Sequence, residues 1–190
     1  MLNWSNETAV VLASGPSLTA VDCEAVQCSD VIGLAVNATF RMTPWADVVY
    51  MGDLLAVRQY DAEVKRTMWQ GHTRWTGCSL SKQQYGWNFM PGLSRGGNSG
   101  HQAIHLAAKF GARRILLLGL DMQAAPDGRR HWHPEHPKPL TQRSLWDEWK
   151  IKMGVLAKEL EKQGVSVVNC SRVSALECFP RGVLEDELCR

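Results

Sequence analysis

Short runs of almost purely apolar residues, each closed by glycine or a small polar residue, recur along the chain and set what it can fold into. The clearest is Arg114-Ile115-Leu116-Leu117-Leu118-Gly119, with Leu120-Asp121 leaving its end. Thr8–Ala13, Val31–Val36, Ala46–Met51 and Val165–Asn169 are of the same kind. A run apolar on both parities, rather than at alternate positions, is a strand covered on both faces. Helical patterns lie between the runs. One near 18–27 has Ser17 as N-cap, and one over 54–68 carries Leu54, Leu55, Val57, Val64 and Met68. A third over 98–110 repeats Ala103, Ile104, Ala107, Ala108 and Phe110 at helical spacing and stops at Gly111; a fourth over 140–163 stops at Gly164. Buried strands alternating with helices predict a single doubly wound, Rossmann-like α/β domain over 1–190, its mainly parallel sheet covered by helices on both faces. Segments 70–97 and 122–139 show no period. They are expected to be irregular structure flanking the site, apart from one strand near His72–Thr76.

Composition narrows the function classes. With 190 residues, 45% hydrophobic and 21% charged, the chain supports one sizeable core and lies far from disordered sequences. A net charge of +2 gives no broad grip on nucleic acid or membrane. No apolar run reaches the roughly 18 residues of a spanning helix, and Met1–Glu7 has no signal-peptide pattern, so a cytoplasmic protein is expected. The six cysteines contain no Cys-x-x-Cys and read as free thiols. Eight Trp against four Phe is unusual. Trp69, Trp75, Trp87 and Trp132 fall in the aperiodic segments and are expected to face substrate; Trp146 and Trp149 are expected in the core.

In such sheets ligands bind beyond the carboxyl ends of the strands. Ser14-Gly15-Pro16-Ser17 offers close backbone approach and free N–H groups at a helix start, a place for phosphate or carboxylate. Gly96-Gly97-Asn98-Ser99-Gly100 is a second such turn, presenting Asn98 and Ser99. Asn37 and Asp53 end their strands with groups suited to a base edge, a ribose or a metal; each also suits a simple cap. Asp121 reads equally as a catalytic carboxylate or as a residue that pins its loop. His101 and His105, at i and i+4, read as packing or surface residues.

The densest chemistry is His131-Trp132-His133-Pro134-Glu135-His136, which holds three of the six histidines. Pro134 and Pro137 preclude a helical His-x-x-x-His face, so no metal ligands are assigned. A general base acting on a hydroxyl is the economical reading, with Arg129 and Arg130 offsetting the charge of a phosphate leaving group.

These segments, in order, resemble a superfamily that includes small bacterial sialyltransferases, the central domain of the motility accessory factors that glycosylate flagellin, and archaeal-type hydroxymethylpterin diphosphokinases. The resemblance covers roughly 8–180. It runs through Val11–Leu18, Ala35-Val36-Asn37, Asp47–Asp53, Gly96–Gly100, Ile115–Asp121 with its histidine loop, and Val168–Ser171. It implies a CMP-sugar or other nucleotide held by Gly15, Pro16, Ser17, Asn37, Asn98 and Ser99, and a general base among His131, His133 and His136. It also implies an acceptor of unknown identity, self-association into a homo-oligomer, and no cofactor. Ser14 stands where the sialyltransferases carry Asn, and Asp53 where they carry another Asn. The latter resembles the pterin enzymes, whose aspartate binds metal with ATP, so a Mg-dependent pyrophosphokinase is the alternative. A nucleotide-binding module without catalysis is the third.

Overall fold

The computed structural model describes residues 2–5, 7–94, 96–136, 140 and 144–190. Its strands are β1 (Thr8–Leu12), β2 (Ile32–Val36), β3 (Val48–Met51), β4 (Thr73–Thr76), β5 (Asn88–Phe89), β6 (Arg114–Leu118) and β7 (Ser166–Asn169). They form one seven-stranded sheet in the order β5-β4-β3-β2-β1-β6-β7, with every pairing parallel. The helices are α1 (Ala20–Gln27), α2 (Leu54–Thr67), α3 (Ser79–Tyr85), α4 (Ser99–Lys109), α5 (Trp146–Lys162) and α6 (Leu184–Leu188). A 3-10 turn, Asn37–Arg41, follows β2.

The alternation of side chains along each strand explains why the runs are apolar throughout. Val11, Leu34, Tyr50 and Leu117 point into one core, packed with Ile104 and Phe110 of the α4 side and with Met153 and Leu156 of α5. Their neighbours point the other way. Ala35, Val49 and Met51 meet Val57, Tyr60 and Val64 of α2, whereas Val10, Leu12, Leu116 and Leu118 meet Cys23 and Val26 of α1. The sheet is therefore sandwiched, as the sequence predicts.

The chain lays β2 to β5 outward on one side of β1, then returns to its other side with β6. The direction reverses between β1 and β6, and their carboxyl ends flank the crevice where open α/β sheets take ligands.

Four expectations change. Segment 70–97 holds, besides the expected strand β4, the unpredicted α3 and β5. Trp87, expected to face substrate, is 1% exposed, and its indole N–H donates to Asp61 at 2.8 Å. Trp75 packs edge-on against Phe110 at 4.7 Å. The N-cap of α1 is Thr19, not Ser17. Thr19 and Asp22 form a reciprocal capping box, and Ser17 is engaged elsewhere. The last long helix begins at Trp146 rather than 140; positions 141–143 of that expectation, like Pro137, lie outside the described residues.

Candidate functional site

The residues predicted at the strand ends converge on the carboxyl edge of the sheet, but they divide into two groups with different work. Asp121, leaving β6, reaches across to the turn after β1. One of its oxygens accepts the Ser17 N–H and the other the Ser17 hydroxyl, both at 2.7 Å. A Cβ on Gly15 would overlap this carboxylate and the Gly119 carbonyl, so glycine is required by close approach. Burial pushes the Asp121 pKa above the usual carboxylate value, against the lowering effect of the Ser17 bonds and Arg181. The Asp121 loop is in turn fixed by the end of β7. Leu120 donates to the Ser171 hydroxyl at 3.0 Å and accepts from the Ser174 hydroxyl at 2.7 Å. Ser171 and Ser174 escape the sequence reading, because nothing local links them to a loop some fifty positions earlier.

The second group lines an open cleft. Asn37, Asp53, Gly97, Asn98 and Ser99 border it, facing the loop residues Arg130, His131 and His136. An adjoining hollow carries the cleft inward to Ser14, Gly15 and Asp121. Pro16 and Ser17 do not border either part among the described residues. Trp146 and Trp149, expected in the core, pack against it and also wall both parts of the cleft. Trp69 does not line the cleft: it is half exposed, and its indole N–H donates to the Ala46 carbonyl at 2.9 Å. Trp132 packs into the core under the loop, with β1 and α1.

Two residues of the cleft carry buried polar atoms without partners among the described residues. Asn37 holds φ +52°, a left-handed conformation uncommon for a side-chain-bearing residue, and its Oδ1 is buried with no partner among the described residues. Asn98 caps α4 by accepting the His101 N–H at 2.8 Å, while its Nδ2 is buried and unpartnered among the described residues. Gly97, at φ +79°, makes the turn that aims Asn98 and Ser99 inward. The N-terminus of α4 thus presents N–H groups and the positive end of a helix dipole to the cleft. Asp53 caps α2, accepting the Ala56 N–H at 2.8 Å, and its side chain borders the same space.

The histidine loop folds back over this edge. Trp132 N–H donates to the Ser14 carbonyl at 3.1 Å. The rings of His131 and His133 stack at 5.0 Å, and His136 meets them edge-on at 5.1 and 4.7 Å. Tyr60 of α2, 76 positions earlier, bonds His136 Nδ1 at 2.9 Å; the sequence carried no signal for this partner. Burial lowers all three histidine pKa values. His136, further repelled by His133 and His131, falls to about 4. Burial thus disfavours the charged form of each ring. Of the arginines, Arg130 borders the cleft and pairs with Glu135, whereas Arg129 pairs with Asp127 away from it. His101 and His105 are both buried packing residues. Ser94 N–H donates to His105 Nδ1 at 2.8 Å, and burial depresses His101 to about 4.

No protein-family profile and no curated protein matches the chain. Among solved structures the fold is similar to that of a MAf glycosyltransferase from Magnetospirillum magneticum AMB-1. The TM-score is 0.65 at 14% identity over 97% of this chain. The chain spans about a third of that protein's length, 35%. No helix among the described residues is long and apolar enough to cross a membrane.

Proposed function

We propose that the chain is a transferase that moves a sugar from a nucleotide donor, a CMP-linked one by resemblance, to an acceptor hydroxyl. The observation that carries this reading is the convergence, over one cleft at the reversal of the sheet, of three things: Asn37 with its unpartnered Oδ1, the open N-terminus of α4 and the histidine loop. The likeness in fold to a glycosyltransferase supports it.

The donor's phosphate sits on the N–H groups of Ser99 and Gly100 and on Asn98 Nδ2. Asn37 Oδ1 accepts from the ribose or base. Ser14 and Gly15 close the inner end, and Trp146 and Trp149 offer flat apolar walls. In the transfer, the acceptor oxygen forms a bond to the anomeric carbon as the bond from that carbon to the phosphate oxygen breaks. The nucleotide leaves with the electron pair, its charge met by the α4 terminus and Arg130, and the acceptor proton passes to the histidine cluster. His133 is 8% exposed and does not border the cleft; His131 borders both of its parts and is the member placed to meet the acceptor. Asp121, with both oxygens on Ser17, positions the turn rather than the substrate.

The test pairs calorimetry on CMP, CDP and nucleotide sugars with a transfer assay on His131→Ala. Expected is retained nucleotide binding with transfer reduced ~10²-fold or more. Undiminished transfer removes the assignment of His131, and failure of the wild-type protein to bind any nucleotide removes the reading as a whole.

A further inference from the structure

The sequence assigns no metal, because its prolines forbid a helical pair of histidine ligands. The structure removes that objection by another route. The loop turns on itself so that one ring nitrogen from each of His131, His133 and His136 lies within 4.8 Å of the other two. Three imidazole nitrogens held this close can share one cation.

The other side of two of the rings is equally telling. His133 Nδ1 lies 2.6 Å from the Pro134 carbonyl, which can only accept, so Nδ1 carries the hydrogen and Nε2 keeps the lone pair. That Nε2 is buried and has no partner among the described residues, on a side chain more than nine-tenths buried. The Tyr60 hydroxyl engages His136 Nδ1. Two of the three rings thus have one nitrogen bonded to an oxygen, the kind of outer contact by which metal-bound histidines are oriented. Among the described residues, Arg41 is paired with Glu63 at 2.6 Å, and Arg130 is paired with Glu135.

The geometry points to a divalent transition-metal site formed by His131, His133 and His136, with Tyr60 as the outer residue that orients His136. Imidazole donors select zinc and its neighbours rather than Mg2+, which prefers oxygen. Among the described residues no carboxylate or thiol joins the three, so a fourth position is left for a water or a substrate oxygen. His131 and His136 border the cleft, so that position is accessible to ligands there. The site stands on the cluster itself. Only its task rests on the transferase reading. With the ion bound, His131 would be a ligand rather than the proton acceptor it is in the metal-free cleft, and the ion would acidify the acceptor hydroxyl, whose proton leaves to solvent.

Chelator-treated protein titrated with ZnCl2 by calorimetry, and with Co2+ by visible absorption, tests this without any activity assay. Expected is one ion per chain with a low-coordinate Co2+ spectrum. Uptake should be lost in His131→Ala and His133→Ala, kept in Asp53→Asn, and weakened ~10–100-fold in Tyr60→Phe, which preserves the ring packing. Circular dichroism establishes that each variant is folded; if His133→Ala is not, His131→Ala and Tyr60→Phe decide. No uptake by the wild-type chain, or uptake unchanged in these variants, overturns the site. Zinc uptake without nucleotide binding keeps the metal centre and removes the transferase reading; nucleotide binding without zinc uptake does the opposite.

Discussion

The two glycine-rich turns at the carboxyl edge look alike in sequence, each a small-residue bend before a helix, yet they meet opposite fates. In Ser14–Ser17 the anion seat is filled from within, because the Asp121 carboxylate occupies the Ser17 N–H and hydroxyl. In Gly96–Gly100 the corresponding groups front an open cleft, and Asn98 spends only its oxygen on the helix. The first turn has become a strut across the reversal of the sheet, and the second is the receptor of the proposed transferase. A glycine-rich helix start therefore signals room for an anion, but not whether that anion is a ligand or part of the chain.

The largest effect should come from breaking the strut. Asp121→Ala leaves the Ser17 donors without their charged acceptor in a largely buried place. The expected loss is ~2–4 kcal/mol of unfolding free energy, measured by urea denaturation. Nucleotide affinity of the folded fraction should change little, since the receptor is the other turn. Wild-type stability together with abolished transfer would invert the contrast and make Asp121 a catalytic group.

A smaller and more selective effect should come from the receptor. Asn98→Ala removes the cap of α4, at ~1 kcal/mol, together with the free amide. Asn98→Asp keeps a capping oxygen at a favourable end of the helix dipole but presents negative charge where the amide pointed. Stability close to wild type with nucleotide binding weakened ~10-fold or more is expected for Asn98→Asp, read by thermal melting and calorimetry. If both variants bind as wild type does, the second turn is no more a receptor than the first.

The same contrast shows what sequence can carry. Strands β1, β2, β3 and β6 were legible because burial on both faces makes every position apolar. β4, Thr73-Arg74-Trp75-Thr76, was barely so, and β5, at two residues, has no room for a period. Their segment is organised by Asp61, which joins Lys65, Arg74 and Trp87, and that junction depends on α2, which comes earlier in the chain. Within the site, Asn37, Asp53, Asn98 and the histidines were visible as polar residues where strands or helices begin and end. The engagement of Ser17 by Asp121 spans 104 positions, and that of His136 by Tyr60 spans 76. Contacts of that reach leave no local pattern. The tryptophans misled for a related reason: Trp87 lies in an aperiodic stretch yet is core, while Trp146 and Trp149, packed against the core from a regular helix, also wall the cleft.

The smallest expected effect separates strut from receptor by pH. Burial raises the Asp121 pKa in the folded chain above its unfolded value near 3.8, so the native state holds that proton to higher pH. Its contribution to stability is then fully present below the unfolded value and declines as pH rises through the raised one. Asp121→Asn removes the titration while leaving a side chain able to accept one Ser17 bond. The stability difference, wild type minus Asp121→Asn, should fall as pH increases from about 3.5 upward, measured by urea denaturation at a series of pH values. A difference that rises over that interval would mean that the Ser17 bonds outweigh burial. The carboxylate would then be held charged, as a bound anion is, and the first turn would be an anion receptor after all, one whose ligand is its own chain.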